Sequence, residues 1–128
     1  MNLIYFISPV GSDPRYGSKR EALYSIAEEL GVEFFFPLDR HESFSVGNAV
    51  ADLRRAWLVI ADLSFERPSC YFEVGLAQGV GTQVAFMAAA GTSLHQAGGT
   101  ANLLSYADMP GYSEAVRQLV ARRCHSDA

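Results

Sequence analysis

Residues 57–63 read Trp-Leu-Val-Ile-Ala-Asp-Leu, and this run decides the fold class. It is apolar almost throughout, shows no alternation, and runs into the turn-forming stretch Ser64-Phe65-Glu66-Arg67-Pro68. An unbroken apolar run of this length predicts a strand buried on both faces, the habit of a parallel sheet covered by helices above and below. Before it, Val46, Ala49, Val50 and Leu53 fall on one helical face. After it, Ser69 is placed to cap a helix that runs to about Val80.

The same alternation continues in both directions. Gln83–Ala88 predicts a fourth strand, the small, Gly-rich stretch Ala89–Gly99 a mobile loop, and Asn102–Tyr106 a short fifth strand. Tyr112–Val120 closes the chain as a helix with Ala115, Val116, Leu119 and Val120 inward, and residues 122–128 read as a loose tail. Toward the N-terminus, Val32–Phe36 is a strand ended by Pro37. Leu23, Ile26, Ala27 and Leu30 form the inward stripe of a helix that Gly31 stops in a left-handed conformation. Asn2–Ser8 is the first strand, broken by Pro9 and Gly11. Strands alternating with helices predict one α/β domain over residues 1–121. Its parallel sheet of four to five strands carries helices on both faces, a flavodoxin-like or Rossmann-like arrangement.

Ligands of such sheets bind beyond the C-terminal strand ends, near the point where strand order reverses. That rule selects the loops Ser8–Tyr16, Pro37–Phe44 and Asp62–Tyr71. Bulk composition narrows the ligand. The net charge of −4 gives no general attraction to a phosphate polymer, so a nucleic-acid strand is not the expected partner. The apolar N-terminal segment is far too short to span a bilayer, so no membrane partner is expected. Cys70 and Cys124 form no CxxC pair, which fits a reduced, cytoplasmic protein. His41, His95 and His125 are scattered, and neither a metal site nor a cofactor is expected.

Within the three loops, two groupings can carry chemistry. Ser8-Pro9-Val10-Gly11-Ser12-Asp13-Pro14-Arg15 leaves a strand and enters a helix, so its backbone N–H groups suit an anion, with donors added by Ser8, Ser12 and Arg15. A plain Pro/Gly turn accounts for the same residues. The carboxylates of Asp39, Asp62 and Glu73 also gather near the predicted switch point. Glu73, expected in the first turn or so of its helix, would be held as an anion by the helix dipole and ready to attack an electrophilic carbon. The structural alternative is an ordinary acidic helix start. Gly75 follows, at a helix-propensity cost of about 1 kcal/mol relative to Ala, which suggests a close backbone approach or a packing contact.

At these residues the chain resembles the nucleoside 2-deoxyribosyltransferase family. Ile4-Tyr5-Phe6 looks like the family's first strand, and Pro37-Leu38-Asp39 like the segment that leaves its second. Phe72-Glu73-Val74-Gly75-Leu76-Ala77, followed by Gly81, is similar to the nucleophile helix, and Asn102-Leu103-Leu104-Ser105 to a late motif. The segment Ala61-Asp62-Leu63 to Gly75, with Ile7-Ser8-Pro9-Val10-Gly11-Ser12, also resembles nucleotide-cleaving relatives and Toll/interleukin-receptor-like domains of bacteria.

The resemblance implies cleavage or transfer at the N-glycosidic bond of a nucleoside or nucleoside 5′-monophosphate. Glu73 would be the nucleophile, Tyr5 its orienting partner, and Asp62 or Asp39 the group that protonates the departing base or holds the sugar. Ser8, Gly11, Ser12 and Arg15 would bind a 5′-phosphate, with Asn48 and Ser69 as further substrate contacts. Asn102 would reach into a neighbouring subunit's site, which implies a homodimer or larger homo-oligomer. The chain departs from the family pattern at Ala56-Trp57, at Asn48-Ala49 with Asp52 further on, and at Arg67, where Asp62 or Glu66 would stand in for a missing aspartate. The alternative functions are an NAD-cleaving domain that would use the same glutamate on a similar fold, and a non-catalytic nucleotide sensor, which the departures at Ala49, Trp57 and Arg67 motivate.

Overall fold

The structure, a computed structural model, describes residues 1–37, 45–94 and 98–126. Among the described residues, five strands and four α-helices follow one another along the chain. They are β1 (Asn2–Ile7), α1 (Tyr16–Leu30), β2 (Val32–Phe35), α2 (Val46–Arg55), β3 (Leu58–Asp62), α3 (Pro68–Gly79), β4 (Val84–Ala89), β5 (Leu104–Tyr106) and α4 (Met109–Ser126). Short 3-10 turns at Ser64–Glu66 and Thr100–Asn102 precede α3 and β5. The strands pair in parallel in the order β2-β1-β3-β4-β5. The chain steps outward from β1 to β2 and then crosses back to β3, so the switch point lies between β1 and β3.

Strand parity sorts the core into two layers, because successive side chains leave opposite faces. Ile4, Phe6, Leu58 and Ile60 pack under α1 and α4 with Leu23, Ile26, Tyr112 and Val116. Tyr5, Ile7, Val59 and Ala61 pack under α2 and α3 with Leu53, Cys70, Val74 and Ala77. Every residue of β3 is buried, as its unbroken apolar run predicts.

Several boundaries differ from expectation for local reasons. α3 begins at Pro68, and Arg67 rather than Ser69 occupies the capping position, with no side-chain cap bond. Proline at the first helical position lacks an N–H that would go unbonded there anyway, so it starts the helix without a serine cap. The loose tail is instead largely helix: α4 continues through Ser126, held in part by Arg122 donating to the Asn102 carbonyl at 3.0 Å and Arg123 donating to the Trp57 carbonyl at 2.9 Å. Asn102 ends a 3-10 turn, and the fifth strand starts only at Leu104. Leu30 and Val46, expected inward, lie at helix ends and stay exposed. Gly31 does stop α1 at φ 66°, its N–H returning to the Ala27 carbonyl.

Candidate active site

Glu73 and Tyr5 meet across the layer formed by β1 and α3. Tyr5 is fully buried in the middle of β1, between Phe35 of β2 and Val59 of β3 in register. Its ring packs against Phe35 with centroids 5.4 Å apart. Its hydroxyl emerges on the α3 side and donates a 2.7 Å hydrogen bond to Glu73 Oε2. Glu73 stands in the second turn of α3, beyond the first turn where a helix dipole acts strongly. The group that favours its charged form is therefore the tyrosine hydroxyl and not the helix N-terminus.

The two side chains perturb each other's ionisation. Burial pushes the Glu73 carboxyl above the usual carboxylate range, while the Tyr5 hydrogen bond pulls it back down. Burial and the adjacent Glu73 charge drive the Tyr5 phenol far above its ordinary value, so it stays protonated and remains a donor. The neighbouring Cys70 thiol is pushed up to about 12, chiefly by burial and then by the Glu73 charge, which keeps it protonated.

Glu73 opens onto a cavity of about 230 Å³. Its walls come from all three loops selected by the topology rule. Ser8, Val10, Gly11 and Tyr16 form one side, Phe36 and Pro37 a second, and Ser69 and Phe72 a third. Phe6, at the end of β1, forms the floor. Among the described lining residues Glu73 alone is charged, and aromatic surface dominates. Such a cleft suits a flat apolar ring beside a polar sugar. Gly11, Ser8 and Ser69 bring a backbone amide and two hydroxyls to the cavity lining.

The remaining expected site residues lie elsewhere. Asp62 is a correction: it is fully buried on the opposite face from Glu73, under α1. Its Oδ1 accepts from the Ser64 backbone N–H at 3.0 Å and the Ser64 hydroxyl at 2.7 Å, and its Oδ2 accepts from Tyr106 at 2.8 Å. Lys19 Nζ stands 3.7 Å from the same oxygen. With these partners inside a closed layer, Asp62 shapes the turn into α3 and cannot reach a base in the cleft. Glu66 is likewise engaged, accepting from the Tyr71 hydroxyl at 3.3 Å, and does not line the cavity.

Arg15 is exposed and lines a different hollow on the far side of the first loop, together with Lys19 and Tyr106. Ser12 is half-buried without reaching the cavity wall, and Asn48 is exposed on α2. Asn102 sits beside β5, with β3 and β4 between it and β1, so it cannot serve the cleft of its own chain. Asp39, with His41 and His95, lies outside the described residues. Gly75 is a second correction: a Cβ there would meet nothing within 4 Å, so no close approach among the described residues requires it. No cluster among the described residues has three metal-ligating side chains, and no described helix is long and apolar enough to cross a membrane.

Comparison with solved structures follows from this geometry. The CMP N-glycosidase BcmB of Clostridium botulinum superimposes with a TM-score of 0.67 at 15% identity, covering 91% of this chain and 99% of that one. The likeness is one of fold. A 2-desoxiribosyltransferase from Leishmania mexicana superimposes with a TM-score of 0.56 at 21% identity. That match covers 69% of this chain, which spans 65% of the Leishmania protein. No family model and no curated protein sequence matches the chain. The α/β fold expected from the alternation of strands and helices is the fold observed, and a CMP N-glycosidase and a 2-desoxiribosyltransferase share it.

Two residues of structural weight had escaped the sequence reading. Lys19 and Tyr106 are both buried, joined by a 2.8 Å hydrogen bond. Lys19 does carry a signal, since it extends the inward stripe of Leu23 and Ile26 by one turn. A lysine on that stripe must find a buried carboxylate.

Proposed function

We propose that the chain cleaves, or transfers across, the N-glycosidic bond of a nucleoside or nucleoside 5′-monophosphate. The observation that supports this most is the 2.7 Å contact of the Tyr5 hydroxyl with Glu73 at the wall of an aromatic cleft. A carboxylate that is partly desolvated, oriented by a donor and open to a cavity is a competent nucleophile toward an anomeric carbon.

In the first step Glu73 bonds to the anomeric carbon as the carbon–nitrogen bond breaks. The departing base keeps the electron pair and takes up a proton. In the second step water, or a second base, attacks the same carbon from the vacated face and displaces Glu73. Water gives hydrolysis and a base gives transfer. The base rests against Phe72, Phe36 and Phe6, while Ser8, Ser69 and the Gly11 N–H hold the sugar or its 5′-phosphate. Asp62 being sealed on the other face, Asp39 is the carboxylate assigned to the leaving base, two residues beyond the cleft-lining Pro37. Asn102 acts, under this assignment, at the cleft of a second copy of the chain.

Substitution of Glu73 by Ala tests the assignment. Nucleosides, nucleoside 5′-monophosphates and NAD are incubated with the protein, and free base is resolved by chromatography. The wild type releases base from a nucleoside or nucleotide, and Glu73→Ala releases none while unfolding at a similar temperature. Undiminished release by Glu73→Ala would overturn the nucleophile. Release of nicotinamide alone would reassign the substrate to NAD.

A further inference from the structure

On the face of the sheet opposite Glu73, Lys19 is 4% exposed and stands at the centre of a polar network. Its ammonium pairs with the Asp13 carboxylate, donates to the Tyr106 hydroxyl at 2.8 Å and lies 3.7 Å from Asp62. The Ser64 hydroxyl contacts Tyr106 at 3.0 Å, donates to Asp62 and accepts from the Ala89 backbone N–H at 2.7 Å. The network therefore ties together the loop after β1 and the C-terminal ends of β3, β4 and β5. Every buried polar side-chain atom in it has a partner. Lysine is rarely buried, and a buried ion pair is weak evidence of stability, so its use here calls for another reason.

The loop after β1 supplies that reason. The Pro9 carbonyl accepts from the Ser12 and Asp13 N–H groups, at 3.1 and 3.0 Å, closing a tight turn that carries Val10 and Gly11 into the cleft. Asp13 ends that turn. One carboxylate oxygen accepts from the Arg15 N–H at 2.8 Å, and the other is held by Lys19. Among the described residues of this loop, Asp13 makes the anchoring side-chain bonds to the body of the protein. We infer that Lys19 is a positioning residue for substrate binding: through Asp13 it holds the Ser8–Gly11 wall of the cleft at the distance a sugar or its 5′-phosphate requires. This rests on the glycosidic assignment for the identity of the ligand. It does not rest on Glu73, which lies in the other layer.

One variant, followed by two readouts, separates this role from general support of the fold. Lys19→Met strands two buried carboxylates, so Asp13→Asn decides the question, because it keeps the shape and the acceptor for the Arg15 N–H. With a nucleoside 5′-monophosphate that the wild type cleaves, Asp13→Asn raises KM by roughly tenfold and leaves kcat within about twofold. Simple destabilisation does the reverse, lowering the active fraction and hence apparent kcat while KM stays fixed. Native-state hydrogen exchange needs no turnover and gives the second readout. The Ser12, Asp13 and Arg15 amides exchange roughly tenfold faster in Asp13→Asn, while β1 and β3 amides hold. An unchanged KM in an active protein overturns the inference. So does loop exchange that is unchanged, or that rises together with the strands. A wild type releasing no base would sink the glycosidic assignment alone, and the exchange result would still decide whether Lys19 anchors the loop.

Discussion

Replacing Tyr5 by Phe deletes a single oxygen and probes the chemistry more finely than removal of the nucleophile. The ring remains seated against Phe35, fully buried, so the core loses no apolar contact. What is lost is a 2.7 Å hydrogen bond to a carboxylate that burial already pushes toward its neutral form. Hydrogen bonds to charged groups contribute about 1.5–3 kcal/mol, which corresponds to a loss of roughly 10- to 150-fold in kcat/KM if the bond acts on the attacking carboxylate.

The pH dependence carries the sharper test. Under the proposed assignment Glu73 attacks only as the anion, so activity falls as pH drops through its raised pKa. Tyr5 opposes that rise, and without its hydroxyl the Glu73 pKa moves up further. The acid limb of the kcat/KM profile shifts to higher pH in Tyr5→Phe, and the ratio of variant to wild-type activity climbs as pH increases. Base release measured by chromatography across acid to mildly alkaline pH gives both profiles. A loss of less than about threefold with an unmoved acid limb would show that the tyrosine does not control the ionisation of the nucleophile. An equal loss at every pH would restrict Tyr5 to orienting Glu73.

Further substitutions separate chemistry from architecture. Glu73→Gln abolishes base release yet raises stability by about 1 kcal/mol at neutral pH, because a buried charge is replaced by a neutral group that still accepts from Tyr5. Since the folded-state pKa of Glu73 lies above its unfolded value, the wild type loses stability as pH rises through that folded pKa. The Gln variant's advantage is therefore small in acid and grows toward neutrality, and urea titrations at several pH values follow it. Asp62→Asn removes the charge shared by Ser64, Tyr106 and Lys19, costing about 1.5–3 kcal/mol by chemical denaturation, while kcat of the folded protein holds. Gly75→Ala raises the thermal midpoint, with a gain of about 1 kcal/mol, because a Cβ meets open space in the isolated chain. A loss of stability or of association on adding that methyl group would show that a second chain covers the α3 surface.

Local periodicity made the architecture legible, and the cleft with it. Alternating strand and helix patterns fixed the layers, and the strand-end rule then selected three loops that all contribute to the wall of one cavity. Helix boundaries were less legible, because Pro68 starts α3 without the side-chain cap expected of Ser69. The error on Asp62 has a simple source. Proximity to the switch point suggests a site residue, and strand parity overrides it. Ala61 packs in the layer of Tyr5 and Glu73, and the next residue along β3 therefore turns toward α1. The close of the β3 turn was also hidden from local pattern. Phe65 and Glu66 both take positive φ, 64° and 46°, a conformation their side chains disfavour and no composition signal announces.

That division between faces bears on why Glu73, the carboxylate proposed as nucleophile, sits on a helix. A carboxylate at the end of β3 is placed by the sheet, and its burial obliges it to take the partners that Lys19, Ser64 and Tyr106 supply. Those same partners occupy its lone pairs and exclude a substrate. Glu73 stands one layer out, on α3, where one face of the side chain meets Tyr5 and the other meets the cleft. It retains a free lone pair for attack at the cost of a raised pKa. Tyr5 limits that cost without adding a charge, because its own ionisation is pushed out of reach and it can only donate. A lysine in its place would hold the carboxylate more firmly and blunt its attack, whereas a phenylalanine would leave it protonated over more of the working pH range. Under the proposed assignment, a neutral donor that stays protonated is the compromise that keeps a half-buried carboxylate both charged and reactive.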